Sequence, residues 1–278
     1  MNTRRLVVND VELEVIEDGA GNAGHLLLVH GFGGSKEDFT HYLPRLGATG
    51  WHAVSPDLRG HGSSSKPPDE AAYSLRTLAD DINGLLDALG WDRAVVLGHS
   101  MGGMVVQVFA LAHPERVQAL VLMDTSHKMP DHVDPSMVEA GQAVVREGGT
   151  ELLVEIGKKA TEPGPLDTIP YLEMAAADSA YKAWSDYKTL NFAGPAWVAL
   201  AGEMASQADR LDALASLSMP TLVIVGAMDD GFYGQSVAMS EAIPNATLAV
   251  IEGGGHSPQF EAPTAWWDAL RGFLDANR

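Results

Sequence analysis

The stretch Ala94-Val95-Val96-Leu97-Gly98-His99-Ser100-Met101-Gly102-Gly103 joins a short apolar run to a serine set among glycines. Four apolar residues in a row, without polar alternation, are the pattern of a strand covered on both faces. The segment after the serine, roughly residues 101–113, reads as a helix. The G-x-S-x-G between strand and helix predicts a tight turn that holds the Ser100 hydroxyl out at the carboxyl end of the sheet. Glycines are needed there because side chains would collide with neighbouring backbone.

The same kind of apolar run recurs at Leu26-Leu27-Leu28-Val29, Leu120-Val121-Leu122-Met123, Leu222-Val223-Ile224-Val225 and Leu248-Ala249-Val250-Ile251. Residues 5–16 alternate weakly, like two short strands joined at Asn9-Asp10. Helical segments fall between the runs, at about 74–89, 101–113 and 261–276. The first begins at Ser74, carries Leu75, Leu78, Ile82, Leu85, Leu86 and Leu89 on one stripe, and stops at Gly90. Alternation of strand and helix predicts an α/β fold, a mostly parallel sheet with helices on both faces. The rhythm breaks from about His127 to Leu217. There, segments 135–147, 150–160, 171–190 and 195–206 read as helices, separated by Gly148-Gly149, Pro163-Gly164-Pro165 and Gly194-Pro195. The expected organisation is core (1–126), all-helical cap (127–217) and core again (218–278). Tyr171, Tyr181, Trp184, Tyr187, Phe192 and Trp197 are the cap's candidates for lining a pocket or packing it.

The composition narrows the function classes. The 278 residues are 46% hydrophobic and 20% charged, ordinary for a globular protein. Eighteen Lys and Arg against 37 Asp and Glu leave a net charge of −19, which repels nucleic-acid phosphates and anionic lipid surfaces. No cysteine is present, so thiolate nucleophiles, zinc–thiolate sites and disulfides are excluded. Met1 to Arg5 is basic but no apolar leader stretch comes after it, and no apolar run approaches the roughly 20 residues that span a bilayer. The expectation is a cytoplasmic protein with a small-molecule substrate, no nucleic-acid or membrane partner and no stated oligomeric state. Neither H-E-x-x-H nor G-x-x-x-x-G-K-[ST] occurs, so no metal or cofactor is implied.

A serine hydroxyl needs a base. Of ten histidines, His25, His41, His52, His113 and His132 have surface-like settings. His256 instead comes after an apolar run and the loop Glu252-Gly253-Gly254-Gly255, which in a parallel sheet puts it at the same edge as Ser100. The base in turn needs a carboxylate. Asp229, after the run at 222–225, is the leading candidate, with Asp124 and Asp230 as competitors. The oxyanion formed by serine attack needs pre-aimed donors. The N–H of Met101 and the N–H of Phe32, within His30-Gly31-Phe32-Gly33-Gly34, are the candidates. His30, His99, Trp184 and Tyr187 are the further candidates for the substrate pocket.

Together these segments resemble the α/β-hydrolase superfamily over nearly the whole chain. His30 to Gly34 is similar to its oxyanion loop, and Asp57-Leu58-Arg59-Gly60-His61-Gly62-Ser63-Ser64 to its D-x-R-G-x-G-x-S support loop. Gly98 to Gly103 is similar to its nucleophile elbow, Gly226 to Asp229 to its acid segment and Gly255-His256 to its base segment. The resemblance implies a serine hydrolase, carboxylesterase-like, that cleaves a small or medium ester or lactone through an acyl-enzyme. Epoxide hydrolases and haloalkane dehalogenases of this fold use an aspartate nucleophile, against which Ser100 speaks. C–C hydrolases of the meta-cleavage type, hydroxynitrile lyases and cofactor-free haloperoxidases or perhydrolases share the serine triad and are the alternatives. A ligand-binding receptor on the same scaffold has no need of all three residues.

Overall fold

A computed structural model describes residues 1–130, 133–160, 163–164 and 167–278. His132 and Pro165 lie outside the described residues. The chain opens with an antiparallel pair, β1 (Asn2–Val8) and β2 (Val11–Asp18), and Asn9 in the turn between them has a φ of 51°. It continues through β3 (Gly24–Val29), α1 (Leu43–Ala48), β4 (Trp51–Pro56), α2 (Leu75–Leu89), β5 (Ala94–His99), α3 (Met101–Ala112) and β6 (Val117–Met123). Among the described residues, five helices then come without a strand: α4 (Pro135–Gly157), α5 (Ile169–Ala177), α6 (Ser179–Leu190), α7 (Gly194–Ser206) and α8 (Leu211–Leu214). The chain closes with β7 (Thr221–Gly226), α9 (Asp230–Ala242), β8 (Ala246–Ile251), α10 (Pro258–Glu261) and α11 (Pro263–Ala276).

The eight strands form one sheet in the order β1-β2-β4-β3-β5-β6-β7-β8, parallel from β4 onward. Period-two alternation divides the central strands between two cores, whereas β8, expected from its apolar run to be covered on both faces, is an edge strand with Leu248 exposed. Leu27, Val29, Val96, Leu120 and Leu122 meet α2, α3 and α9 on one face, while Leu26, Leu28, Val95, Leu97 and Val121 meet α1 and α11 on the other. Double coverage is why these strands carry no polar alternation.

The periodicity places α2 accurately. Ser74 accepts the Thr77 N–H at 2.9 Å as N-cap, and Gly90 ends the helix at φ 72°. Three features differ from expectation. Strand β4 is missing from the apolar runs because His52, Ser55 and Pro56 interrupt it; all three are buried, with His52 Nε2 donating to Glu17 at 2.9 Å and Ser55 Oγ to the Leu28 carbonyl at 3.2 Å. The single helix expected over 171–190 is two, because Asp178 leaves helical geometry and caps α6 by accepting from the Ala180 and Tyr181 N–H groups. In α4 the expected break at Gly148-Gly149 is a kink, with Gly149 at φ 70°.

Parallel pairing sets the carboxyl ends of β3, β5, β6, β7 and β8 along one rim of the sheet, and α4–α8 are inserted between β6 and β7, whose ends belong to that rim.

Candidate active site

Ser100 sits just past β5 at φ 53°, ψ −120°, a conformation that L-residues rarely adopt. Its N–H donates to the Met123 carbonyl at 2.9 Å and its carbonyl accepts from Thr125 Oγ1 at 2.6 Å, so the turn is pinned to the end of β6. A Cβ on Gly102 would run into the Val29 and His30 carbonyls, which is why the elbow lies so close to the loop after β3. His256, beyond β8, brings Nε2 to 3.0 Å from Ser100 Oγ, and its Nδ1 donates to Asp229 Oδ2 at 2.9 Å. All three side chains are nearly buried.

The competing acids separate cleanly. Asp230 is exposed on the first turn of α9. Asp124 is buried at the end of β6, and its Oδ1 accepts the Gly226 N–H at 2.8 Å. Burial first, and the adjacent Asp229 charge second, push its carboxyl well above the usual range. Its Oδ2 accepts from no donor, and the raised carboxyl favours the protonated form beside Asp229. For Asp229 burial is the largest influence and raises the carboxyl. The His256 imidazole and the hydrogen bonds from His256 and Asp124 together outweigh it, leaving Asp229 below its ordinary value. An ionised Asp229 faces the imidazole, backed by a neutral acid.

Met101 is the first residue of α3, where N–H groups have no intrahelical acceptor. The 30–34 loop passes so close to the elbow that a Cβ on Gly31 would stand 3.0 Å from Ser100 Cβ. Asp57 steadies that loop: it accepts the Lys36 and Ser63 N–H groups, each at 2.8 Å, and pairs with Lys36 Nζ at 2.9 Å.

Of the four pocket candidates, only His99 borders a cavity. It donates Nε2–H to the His256 carbonyl at 2.7 Å, and burial, then the nearby His256, push its pKa down to about 3. His30 is a brace: Nε2 accepts the Leu58 N–H at 3.0 Å and Nδ1–H donates to the Gly31 carbonyl at 2.8 Å, tying two loops together away from the cavity walls. Trp184 packs on Phe260 and carries Lys188 Nζ over its ring at 3.7 Å, one layer behind the wall. Tyr187 points outward and is 60% exposed.

Two cavities meet at Ser100, with Phe32, Leu153 and Trp197 at the waist. One, of about 270 Å³, is walled by Met104, Met129, Met137, Met204 and Phe232. The other, of about 260 Å³, runs past His256 to Ser185, Thr189 and the Lys188–Asp38 ion pair, closed at 2.9 Å. Sequence reasoning missed these wall residues. Asp38 and Lys188 sit 150 positions apart and carry no local motif. The methionines left a faint trace as a cluster in and beside the cap. Among the described residues, no group of three or more His, Asp or Glu is gathered closely enough to hold a metal ion.

The model of the alpha/beta hydrolase fold family matches residues 24–263. The chain belongs to this family. Among similar alpha/beta hydrolase structures, a thermophilic esterase from Thermogutta terrifontis is 28% identical, with a TM-score of 0.83 and 99% of each chain covered. Est816, described as an N-acyl homoserine lactone degrading enzyme, is 26% identical, with a TM-score of 0.77 over 97% of this chain and all of that one. Epoxide hydrolase A of Mycobacterium tuberculosis is 41% identical over 122 residues, which is 44% of this chain and 38% of that protein. The chain thus matches under half the length of the first curated relatives. No helix of the described residues is long and apolar enough to cross a membrane.

Proposed function

We propose that the protein is a serine carboxylic ester hydrolase, acting on small or medium esters or lactones through an acyl-enzyme. The observation that carries this reading is the continuous relay from Ser100 Oγ to His256 Nε2 at 3.0 Å and from His256 Nδ1 to Asp229 at 2.9 Å. Ser100 attacks the carbonyl carbon as His256 takes its proton, and the oxyanion is received by the N–H groups of Phe32 and Met101. Collapse expels the alcohol, protonated by His256. A water that His256 then deprotonates releases the acid and regenerates Ser100. Asp229, ionised throughout, stabilises the imidazolium and holds its tautomer.

The full-length likeness to an esterase and to a lactone-degrading enzyme supports a carbonyl substrate. The stretch shared with Epoxide hydrolase A argues for common ancestry of one part of the chain. Against epoxide opening stands Ser100, a hydroxyl where the epoxide hydrolases of this fold use a carboxylate. Hydrolysis of p-nitrophenyl acetate and butyrate by the wild type and by Ser100→Ala tests the proposal. Turnover confined to the wild type is expected; equal turnover in a folded Ser100→Ala overturns it.

A further inference from the structure

The two cavities differ in chemistry, and the reaction itself dictates which half of a substrate enters each. His256 borders the cavity containing Lys188 and Asp38 and is absent from the wall of the methionine-lined one. On the esterase reading, on which this inference rests, His256 must hand a proton to the departing alcohol oxygen. That oxygen, and the group attached to it, therefore lie on the His256 side. The acyl chain is left with the opposite direction from Ser100, into the apolar cavity.

The walls fit this division. Around the acyl direction, Met104, Met129, Met137 and Met204 supply flexible thioether chains that mould to an unbranched aliphatic tail. The alcohol direction ends on Ser185, Thr189 and Ser257 hydroxyls and on a Lys188–Asp38 pair that is itself nearly buried. That pair presents donors and an acceptor but no net charge. An alcohol bearing a charge of either sign has to compete with one member for the other, and a buried partner left alone is costly. A neutral polyol exchanges hydrogen bonds with both members while leaving them paired.

From this arrangement we infer that the preferred substrate is a medium-chain aliphatic ester of a neutral polyhydroxylated alcohol, with the tail among the methionines and the polyol beneath Lys188 and Asp38. Lys188 and Asp38 are then specificity residues for the leaving group, and Met137, Met204 and Ala205 for the tail.

The experiment compares kcat/KM for glycerol 1-octanoate, glycerol 1-acetate, propyl octanoate and octanoylcholine. Expected are a preference for octanoate over acetate on glycerol, and for glycerol over both propanol and choline as the leaving group. Ala205→Phe fills the tail cavity and lowers the octanoate-to-acetate ratio about tenfold or more. Lys188→Met removes the preference for glycerol over propanol. Since it strands Asp38, the double variant Lys188→Met/Asp38→Leu and the milder Thr189→Val give the same readout without a buried lone charge. Ester hydrolysis with an unchanged chain-length ratio in Ala205→Phe, or with choline or propanol esters favoured over glycerol, overturns this inference alone. Absence of all ester hydrolysis, p-nitrophenyl acetate included, overturns the esterase reading and this inference with it.

Discussion

The rim of the sheet and the helices above it are built to opposite standards. On the rim, Ser100, Asp124, Asp229 and His256 are all buried and fastened by short hydrogen bonds to one another or to the ends of doubly covered strands. In the cap, α6 has no buried residue and the 23-residue α4 has two, Val145 and Thr150. Polar links to the core include Lys188–Asp38, Arg146–Glu70, Arg210–Gln107 and the Ala193 N–H on the Gly60 carbonyl. Parts that must hold reacting atoms to a fraction of an ångström are set in the densest packing. The outer cap helices α4 and α6 form a thinly packed layer, while α7 beneath them buries Ala196, Val198, Leu200 and Ala201.

Substitutions on the two sides test that contrast. On the rim, His256→Ala is expected to lower kcat for a p-nitrophenyl ester by on the order of 10⁴-fold or more, and Asp229→Asn by roughly 10⁴-fold. In the cap, Tyr187→Ala, at an exposed ring outside both cavities, leaves kcat within about twofold on the same assay. A large loss at Tyr187, or a small one at His256, removes the contrast.

Asp124 probes the rim more finely. If the raised carboxyl of Asp124 holds a proton, Asp124→Asn keeps a donor toward Asp229 and an acceptor for the Gly226 N–H, whereas Asp124→Ala keeps neither. Expected is near-native urea stability for Asp124→Asn and a loss of about 1–3 kcal/mol for Asp124→Ala. If Asn is as damaging as Ala, Asp124 works as an anion and the neutral-acid account fails.

Acid sensitivity belongs to the rim as well. His30, His61 and His99 are buried, and burial, the first cause for each, holds all three below their ordinary pKa, to about 3 for His99. Below about pH 6.5 the unfolded chain takes up protons that these folded imidazoles refuse, so their contribution is complete above about 6.5 and is lost as pH falls. Each supplies at most about 1.4 kcal/mol per pH unit; the raised carboxyls of Asp124, Glu203 and Glu261 work in the opposite direction, Glu203 and Glu261 more weakly because they are less completely buried than the three imidazoles. Urea unfolding at pH 7.5, 6 and 5 should show falling stability; a level or rising profile contradicts the burial argument. The smallest effect is expected at Arg146→Ala, an exposed cap-to-core link whose loss should leave the melting temperature essentially unmoved.

Legibility in the sequence respected the same divide. The rim announced itself because each of its residues stands one short loop beyond an apolar run, so parallel pairing alone brings Ser100, Asp229 and His256 to one edge. Local chemistry marked α2 through Ser74 and Gly90, and the first hairpin through Asn9. Strand β4 stayed hidden because its polar residues are satisfied by partners from other strands, Glu17 for His52 and the Leu28 carbonyl for Ser55. Trp197 and Phe192, named among the cap aromatics, do line the cavities, but most of the walls stayed hidden for a related reason. Trp184 and Tyr187 looked like lining because they are aromatic, yet which face of α6 turns inward is decided by Lys188 reaching Asp38, a contact no periodicity contains.

The backbone of Ser100 has a consequence beyond the reaction. Its φ of 53° and ψ of −120° suit glycine better than any residue with a side chain, and holding serine there costs about 1–3 kcal/mol. A laboratory evolution campaign scored on heat tolerance alone would therefore reward Ser100→Gly, an exchange that on the proposed mechanism removes the nucleophile. Any such campaign has to screen for turnover and thermal survival in the same round.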